Sequence, residues 1–192
     1  MTEVDQGRLI GLLERLVAVD SQNPPGREAA MIPLLESQLK DSGFEVAVQE
    51  IMPERPNFVA TLRHGDGPTF AFNTHTDTVP AGTGWTGSPF TLRQANGRLF
   101  GRGSCDAKGP LAAMVEAMRL LAATQSTWRG TLIGAFTVDE EVESRGAKAY
   151  AQGGPSIDFA VIGEPTSNVA NIAHKGSLRP IVHVRGATAH SA

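Results

Sequence analysis

Thr131-Leu-Ile-Gly-Ala-Phe-Thr-Val138 is an almost wholly apolar run, closed at once by three carboxylates, Asp139-Glu-Glu141. A short apolar run without alternation is the pattern of a strand covered on both faces. A helical stretch from about Arg145 to Gln152 follows, and then a second apolar run, Phe159 to Ile162. Together they predict a strand–helix–strand unit, the building block of parallel sheets. Upstream, Phe44 to Ile51, Phe58 to Arg63 and Thr69 to Asn73 read as further strands between Pro- and Gly-bearing turns. Thr91 to Phe100 reads as a hairpin turning at Asn96-Gly97.

Helical spacing accounts for the remainder. Leu9, Leu12, Leu13, Leu16 and Val17 predict an amphipathic helix from about Gln6 to Val19, which Ser21-Gln-Asn-Pro-Pro-Gly26 then breaks. A second helix from about Glu28 buries Ile32, Leu35 and Leu39 and stops at Gly43, with Pro33 in its tolerated first turns. A third runs from Gly109 to Ala123. The fold class is therefore α/β, with a mixed, largely parallel central sheet flanked by helices.

The 192 residues suffice for one core plus a small appendage, and 41% apolar with 19% charged residues is ordinary for a globular protein. A net charge of −3 without a basic stripe argues against nucleic acid. No window approaches 18 uninterrupted apolar residues, so no membrane helix is expected. The acidic start, Met1-Thr-Glu-Val-Asp-Gln6, is unlike a signal peptide, and the single cysteine, Cys105, excludes an internal disulfide. A reducing, cytoplasmic location is the expectation.

Polar clusters stand where the apolar runs end, and ligands of open α/β sheets bind beyond the carboxyl ends of strands. In His75-Thr-Asp77 the outer residues share a side in extended chain, so the carboxylate can orient the imidazole. A polar loop is the alternative. Of the adjacent Glu140 and Glu141, one can bind a metal while the other shuttles a proton, or both can be exposed charges. A cation would relieve the mutual repulsion of Asp139, Glu140 and Glu141. Asp106 lies in Gly101-Arg-Gly-Ser-Cys-Asp-Ala-Lys-Gly109, where a dinucleotide loop would need a third glycine and a phosphate loop a Gly-Lys-Ser/Thr end. Cys105 is expected to be a small buried thiol rather than a nucleophile. Glu164, in Gly163-Glu-Pro-Thr166, is a donor on a stiffened turn or simply a turn residue. His174 and Lys175 either touch substrate or cap a strand.

Six stretches, in order, resemble the M20-type metallopeptidases, the group of acetylornithine deacetylase, succinyl-diaminopimelate desuccinylase, aminoacylase-1 and the glutamate carboxypeptidases. They are Asn73-Thr-His-Thr-Asp-Thr-Val79, Gly101 to Gly109, Thr137-Val-Asp-Glu-Glu141, Ile162-Gly-Glu-Pro-Thr166, Ala173-His-Lys-Gly176 and Gly186-Ala-Thr-Ala-His-Ser191. The resemblance implies a zinc-exopeptidase-like catalytic domain over residues 1–177, with a lid or dimerisation domain beginning at 178–192. It implies that His75 and Glu164 bind one metal, that Asp106 bridges two, and that Glu141 binds the second. Glu140 would then be the general base, Asp77 would orient His75, and His190 would steady the oxyanion. The peptide after Asp106 is expected to be cis. Two zinc ions are implied, with cobalt or manganese as substitutes. The implied substrates are N-acyl amino acids or dipeptides, and the full-length protein would be a homodimer.

The same resemblance calls for a further histidine ligand near the C-terminus, which a chain stopping at Ala192 does not offer. The chain is therefore expected to be a fragment, holding one metal better than two and showing little activity. A non-catalytic metal-binding relative is the competing reading.

Overall fold

The first predicted helix forms as α1 (Gln6–Ala18), capped by Asp5, whose carboxylate accepts the Arg8 N–H at 2.9 Å. It buries Leu12, Leu13, Leu16 and Val17. The computed structural model describes residues 3–176 and 180–186, so His190 lies outside the described residues. The second helix is divided: a 3₁₀ turn (Glu28–Met31) leads into α2 (Ile32–Leu39), and a second 3₁₀ turn ends at Gly43, whose φ of 86° needs a residue without Cβ. Pro33 in the first turn of α2 separates the two segments.

The strands are β1 (Glu45–Met52), β2 (Arg55–His64), β3 (Thr69–His75), the hairpin pair β4 (Arg93–Ala95) and β5 (Arg98–Phe100), β6 (Gly130–Thr137) and β7 (Phe159–Ile162). α3 (Lys108–Ala123) precedes β6, and α4 (Arg145–Gly153) links β6 to β7. The main sheet has the order β1-β2-β6-β3-β7. β1 and β2, and β2 and β6, pair antiparallel, whereas β3 runs parallel to both β6 and β7. The sheet is thus mixed, as expected. Asn96 and Gly97 both adopt positive φ, the geometry of a tight hairpin turn.

Alternation along the central strands feeds two faces. Phe58, Ala60, Leu62, Leu132 and Phe136 join the core beneath α1, α2 and α3, while Ala71, Ile133 and Ala135 face the other way, with Tyr150 of α4 packed against them. Gly134 allows α3 to approach closely, since a Cβ there would stand 2.6 Å from the Met118 side chain.

Three expectations need correction. β2 starts at Arg55 rather than Phe58: its first residues are polar or proline, which hides the strand, and Pro56 is tolerated because pairing with β6 begins only at Phe58. β7 is not covered on both faces, with Phe159 62% and Ile162 57% exposed. It is an edge strand, hydrogen-bonded on one side to β3. Leu178 to Val184, whose alternating apolar and polar residues predict a strand, forms none over the described residues 180–184, and Ile181 and Val184 are exposed. Among the described residues, no helix is long and apolar enough to cross a membrane.

Candidate metal centre

Strand register brings the polar clusters together. Parallel strands carry their carboxyl ends to one edge, and at that edge His75 closes β3 opposite Thr137, the last residue of β6. Glu140 and Glu141 come three and four residues after Thr137. On the other flank Asn73 pairs with Ile162, so His75 and Glu164 each stand two residues beyond the same pair. Asp106 arrives from the turn before α3, and its peptide to Ala107 is cis, as the resemblance implied.

His75 is buried and held from both ring nitrogens. Nδ1 lies 2.9 Å from the backbone O of Asp77 and 3.5 Å from its Oδ1, and Nε2 lies 2.9 Å from Asp106 Oδ1 and 4.0 Å from Glu164 Oε1. The nearest partner of Nδ1 is thus the backbone carbonyl of Asp77 rather than its carboxylate, because β3 ends at His75 and the chain turns there. Asp77, fully buried, accepts the backbone N–H of Glu140 at Oδ1 and that of Glu141 at Oδ2, each at 3.1 Å. Glu141 Oε1 in turn accepts the Val79 N–H.

Two donor sets share His75. His75, Asp106 and Glu164 place one ligand atom each within 4.8 Å of one another, and so do His75, Glu140 and Glu141. The side chains of Asp106 and Glu164 are 50% and 40% exposed, so the cluster opens to solvent while His75 backs it. Burial works against a charge on His75. Hydrogen bonding and charge from Asp77, the hydrogen bond to Asp106 and the charge of Glu164 override it, and the imidazole is pushed up to about 10. Burial and the surrounding carboxylates push Glu141 and Glu164 up despite His75. Asp77 goes down against its own burial, through its hydrogen bonds with His75 and Asn23. Carboxylates this crowded, with an imidazole drawn into supplying positive charge, suit a site for cations.

A second row of buried groups lies behind the ligands, and the sequence motifs did not reveal it. Asn23 Nδ2 donates to Asp77 Oδ2 at 2.8 Å and to Asp139 Oδ1 at 3.0 Å. Arg55 donates from Nη1 to the same Asp139 oxygen at 3.1 Å and from Nε and Nη2 to Glu28. The sequence places Asn23 only within a helix break. Its place before Pro-Pro-Gly, which fixes the backbone around an amide, was the available signal. Cys105 is exposed, not buried, because the turn buries Gly103, Ala107 and Lys108 and leaves Cys105 and Asp106 facing outward. His174 is exposed, with Nδ1 2.9 Å from Lys175 O.

The chain resembles a probable succinyl-diaminopimelate desuccinylase of Staphylococcus epidermidis at 37% identity over 195 aligned positions, covering all of this chain and 47% of that protein. It is 38% identical to the acetylornithine deacetylase of Proteus mirabilis over 91% of this chain and 45% of that one. The chain thus spans under half the length of these curated relatives. Among solved structures, the aminopeptidase PepT of Bacillus cereus superposes with a TM-score of 0.67 at 28% identity, over 83% of this chain and 43% of that one. Residues 71–177 match the model of peptidase family M20/M25/M40 and hold His75, Asp106, Glu140, Glu141 and Glu164, and to that family this chain belongs.

Proposed function

We propose that the whole protein is a metal-dependent amidohydrolase that removes the acyl group from an N-acyl amino acid. One observation carries the reading: two donor sets meet at His75, at the carboxyl ends of parallel strands, and one of them holds two adjacent glutamates, Glu140 and Glu141. The relatives named as a desuccinylase and a deacetylase, both above 35% identity, favour acyl removal. In this assignment His75 and Glu164 hold one zinc, Asp106 is shared, and Glu141 serves the second. Bound zinc supplies Lewis acidity, polarising the amide carbonyl and bringing the pKa of water to roughly 7.

The chain's own residues do the remaining work. Glu140 accepts a proton from the attacking water and passes it to the leaving amine nitrogen. Asp77 keeps the His75 tautomer fixed and, through the Glu140 and Glu141 N–H groups, holds the backbone that carries base and ligand. His190 donates to the developing oxyanion. Cobalt or manganese would serve in the same donors.

The PepT match supports a second reading, cleavage of a peptide bond by the same groups. The deciding experiment supplies the full-length protein with zinc and offers N-acetyl and N-succinyl amino acids beside dipeptides and tripeptides. Turnover of the acyl amino acids supports the proposal. Turnover of peptides alone transfers the site to the second reading. Zinc binding without any turnover leaves a non-catalytic relative.

A further inference from the structure

We infer that Asn23 is a positioning residue of the metal centre: its side-chain amide, donating to Asp77 and Asp139 together, sets the orientation in which His75 is presented to the cation. The inference rests on the metal-centre reading above.

The N-terminal segment is laid against the loop that carries His75. Ser21 Oγ donates to Thr76 O at 2.9 Å, the Thr78 N–H donates to Ser21 O at 3.1 Å, and the Asn23 N–H donates to Thr78 O at 2.8 Å. Residues 21–23 therefore run alongside 76–78 as a short strap, with Gln22 bridged to Thr78 in parallel. The strap delivers one side chain into the space between two carboxylates, Asp77 and Asp139, each at most 1% exposed. Two buried carboxylates side by side repel, and an amide NH₂ has two donors, one for each.

What Asn23 fixes follows from the partners of Asp77. Oδ2 takes Asn23 and the Glu141 N–H, while Oδ1 takes the Glu140 N–H and faces His75 Nδ1 at 3.5 Å. Asp77 thus joins the ligand imidazole, which its backbone O holds at 2.9 Å from Nδ1, to the backbone of the two glutamates, which its carboxylate holds. Among the described residues, Asn23 is the side chain that donates to it from outside this loop pair. Arg55 closes the row, holding Asp139 from the far side. Removal of the Asn23 amide leaves the buried Asp77 and Asp139 carboxylates facing each other without a shared donor, and their repulsion displaces Asp77 and with it the carbonyl that holds His75. A residue that orients a ligand in this way alters metal affinity as well as stability, whereas a simple strut in the core alters stability alone.

The test measures zinc affinity of the full-length protein by chelator competition, together with the absorption spectrum of the cobalt-loaded protein. Asn23→Ala removes the donors, and Asn23→Asp keeps the shape while replacing the donors with a further carboxylate. Leu39→Ala, in the core under α2, serves as a variant that loses stability away from the site. The expected result is zinc binding weakened about 10- to 100-fold in both Asn23 variants with a shifted cobalt spectrum, and zinc affinity kept in Leu39→Ala. Zinc affinity within about threefold of the wild type in either folded Asn23 variant, with an unchanged cobalt spectrum, overturns the inference while leaving the proposed function standing, since that change is far below the usual effect of such partners. A Leu39→Ala loss of affinity equal to that of the Asn23 variants also overturns it, because stability alone would then explain the effect. Wild-type protein that binds no zinc defeats the proposed function itself.

Discussion

His75 Nε2 lies 2.9 Å from Asp106 Oδ1, so without a metal the imidazole donates a proton to the residue with which it is proposed to share a cation. The imidazole is pushed up to about 10, mainly by Asp77, Asp106 and Glu164 working against burial. At neutral pH a zinc ion must therefore displace that proton. Zinc binding is expected to release protons, and its apparent affinity to tighten by about tenfold per pH unit between pH 7 and 9. Calorimetric titrations at pH 7.5 in buffers of different ionisation heat count the protons. Release of none would mean that the imidazole is already neutral.

The same proton governs the stability of the metal-free chain. A folded-state pKa above the unfolded value of 6.5 favours folding fully below pH 6.5, and the contribution fades as pH rises through about 10. Asp77 acts in the opposite sense: its folded pKa is depressed, so its contribution is present above the unfolded value of 3.8 and is lost as acid protonates it. Metal-stripped protein should therefore melt at falling temperatures from pH 7 to 10, and zinc-loaded protein should not show that slope. Melting curves across the range decide it, and parallel slopes for the two forms would sink the idea.

Most of the site was legible because its residues sit where strand patterns end. The apolar run to Val138 located Glu140 and Glu141, and the runs ending at Asn73 and Ile162 located His75 and Glu164. Register does the rest, and register follows from those runs once the strands are parallel. The buried row of Asn23, Glu28, Arg55 and Asp139 was not legible in the same way. Its members come from four separate stretches, and each carries a residue type that is usually exposed. Only the folded chain shows that they satisfy one another. The exposure of β7 is not legible for a related reason: an apolar run signals a buried strand, but position within the sheet is set by pairing, and β7 pairs only with β3 among the described strands.

Arg55 is the one side-chain cation that touches both Glu28 and Asp139, at 2.6 and 3.1 Å, and all three are nearly fully buried. Its removal leaves the buried Glu28 without its cation and Asp139 with only Asn23 and the half-exposed Arg145, a loss of about 3–5 kcal/mol where one partner of a buried pair is deleted. Arg55→Ala should lower the melting temperature of the metal-free protein by roughly 10 °C. A drop of under about 2 °C would show that water already screens the pair.

Glu140 separates ligand from base most cleanly. Its backbone N–H is fixed to Asp77 Oδ1 at 3.1 Å, so the backbone that carries it does not depend on its own charge. Glu140→Gln preserves size and that backbone contact, and it leaves His75, Asp106, Glu141 and Glu164 untouched. Zinc content of the full-length variant should therefore match the wild type. Turnover should not, because an amide cannot accept the proton of the attacking water: kcat should fall by about 100- to 10,000-fold with KM little changed. Loss of zinc together with activity would reassign Glu140 as a ligand, an outcome that its closeness to His75 and Glu141 makes physically reasonable. Zinc retained with normal kcat would remove it from the chemistry and direct the search for a base to the other carboxylates around His75.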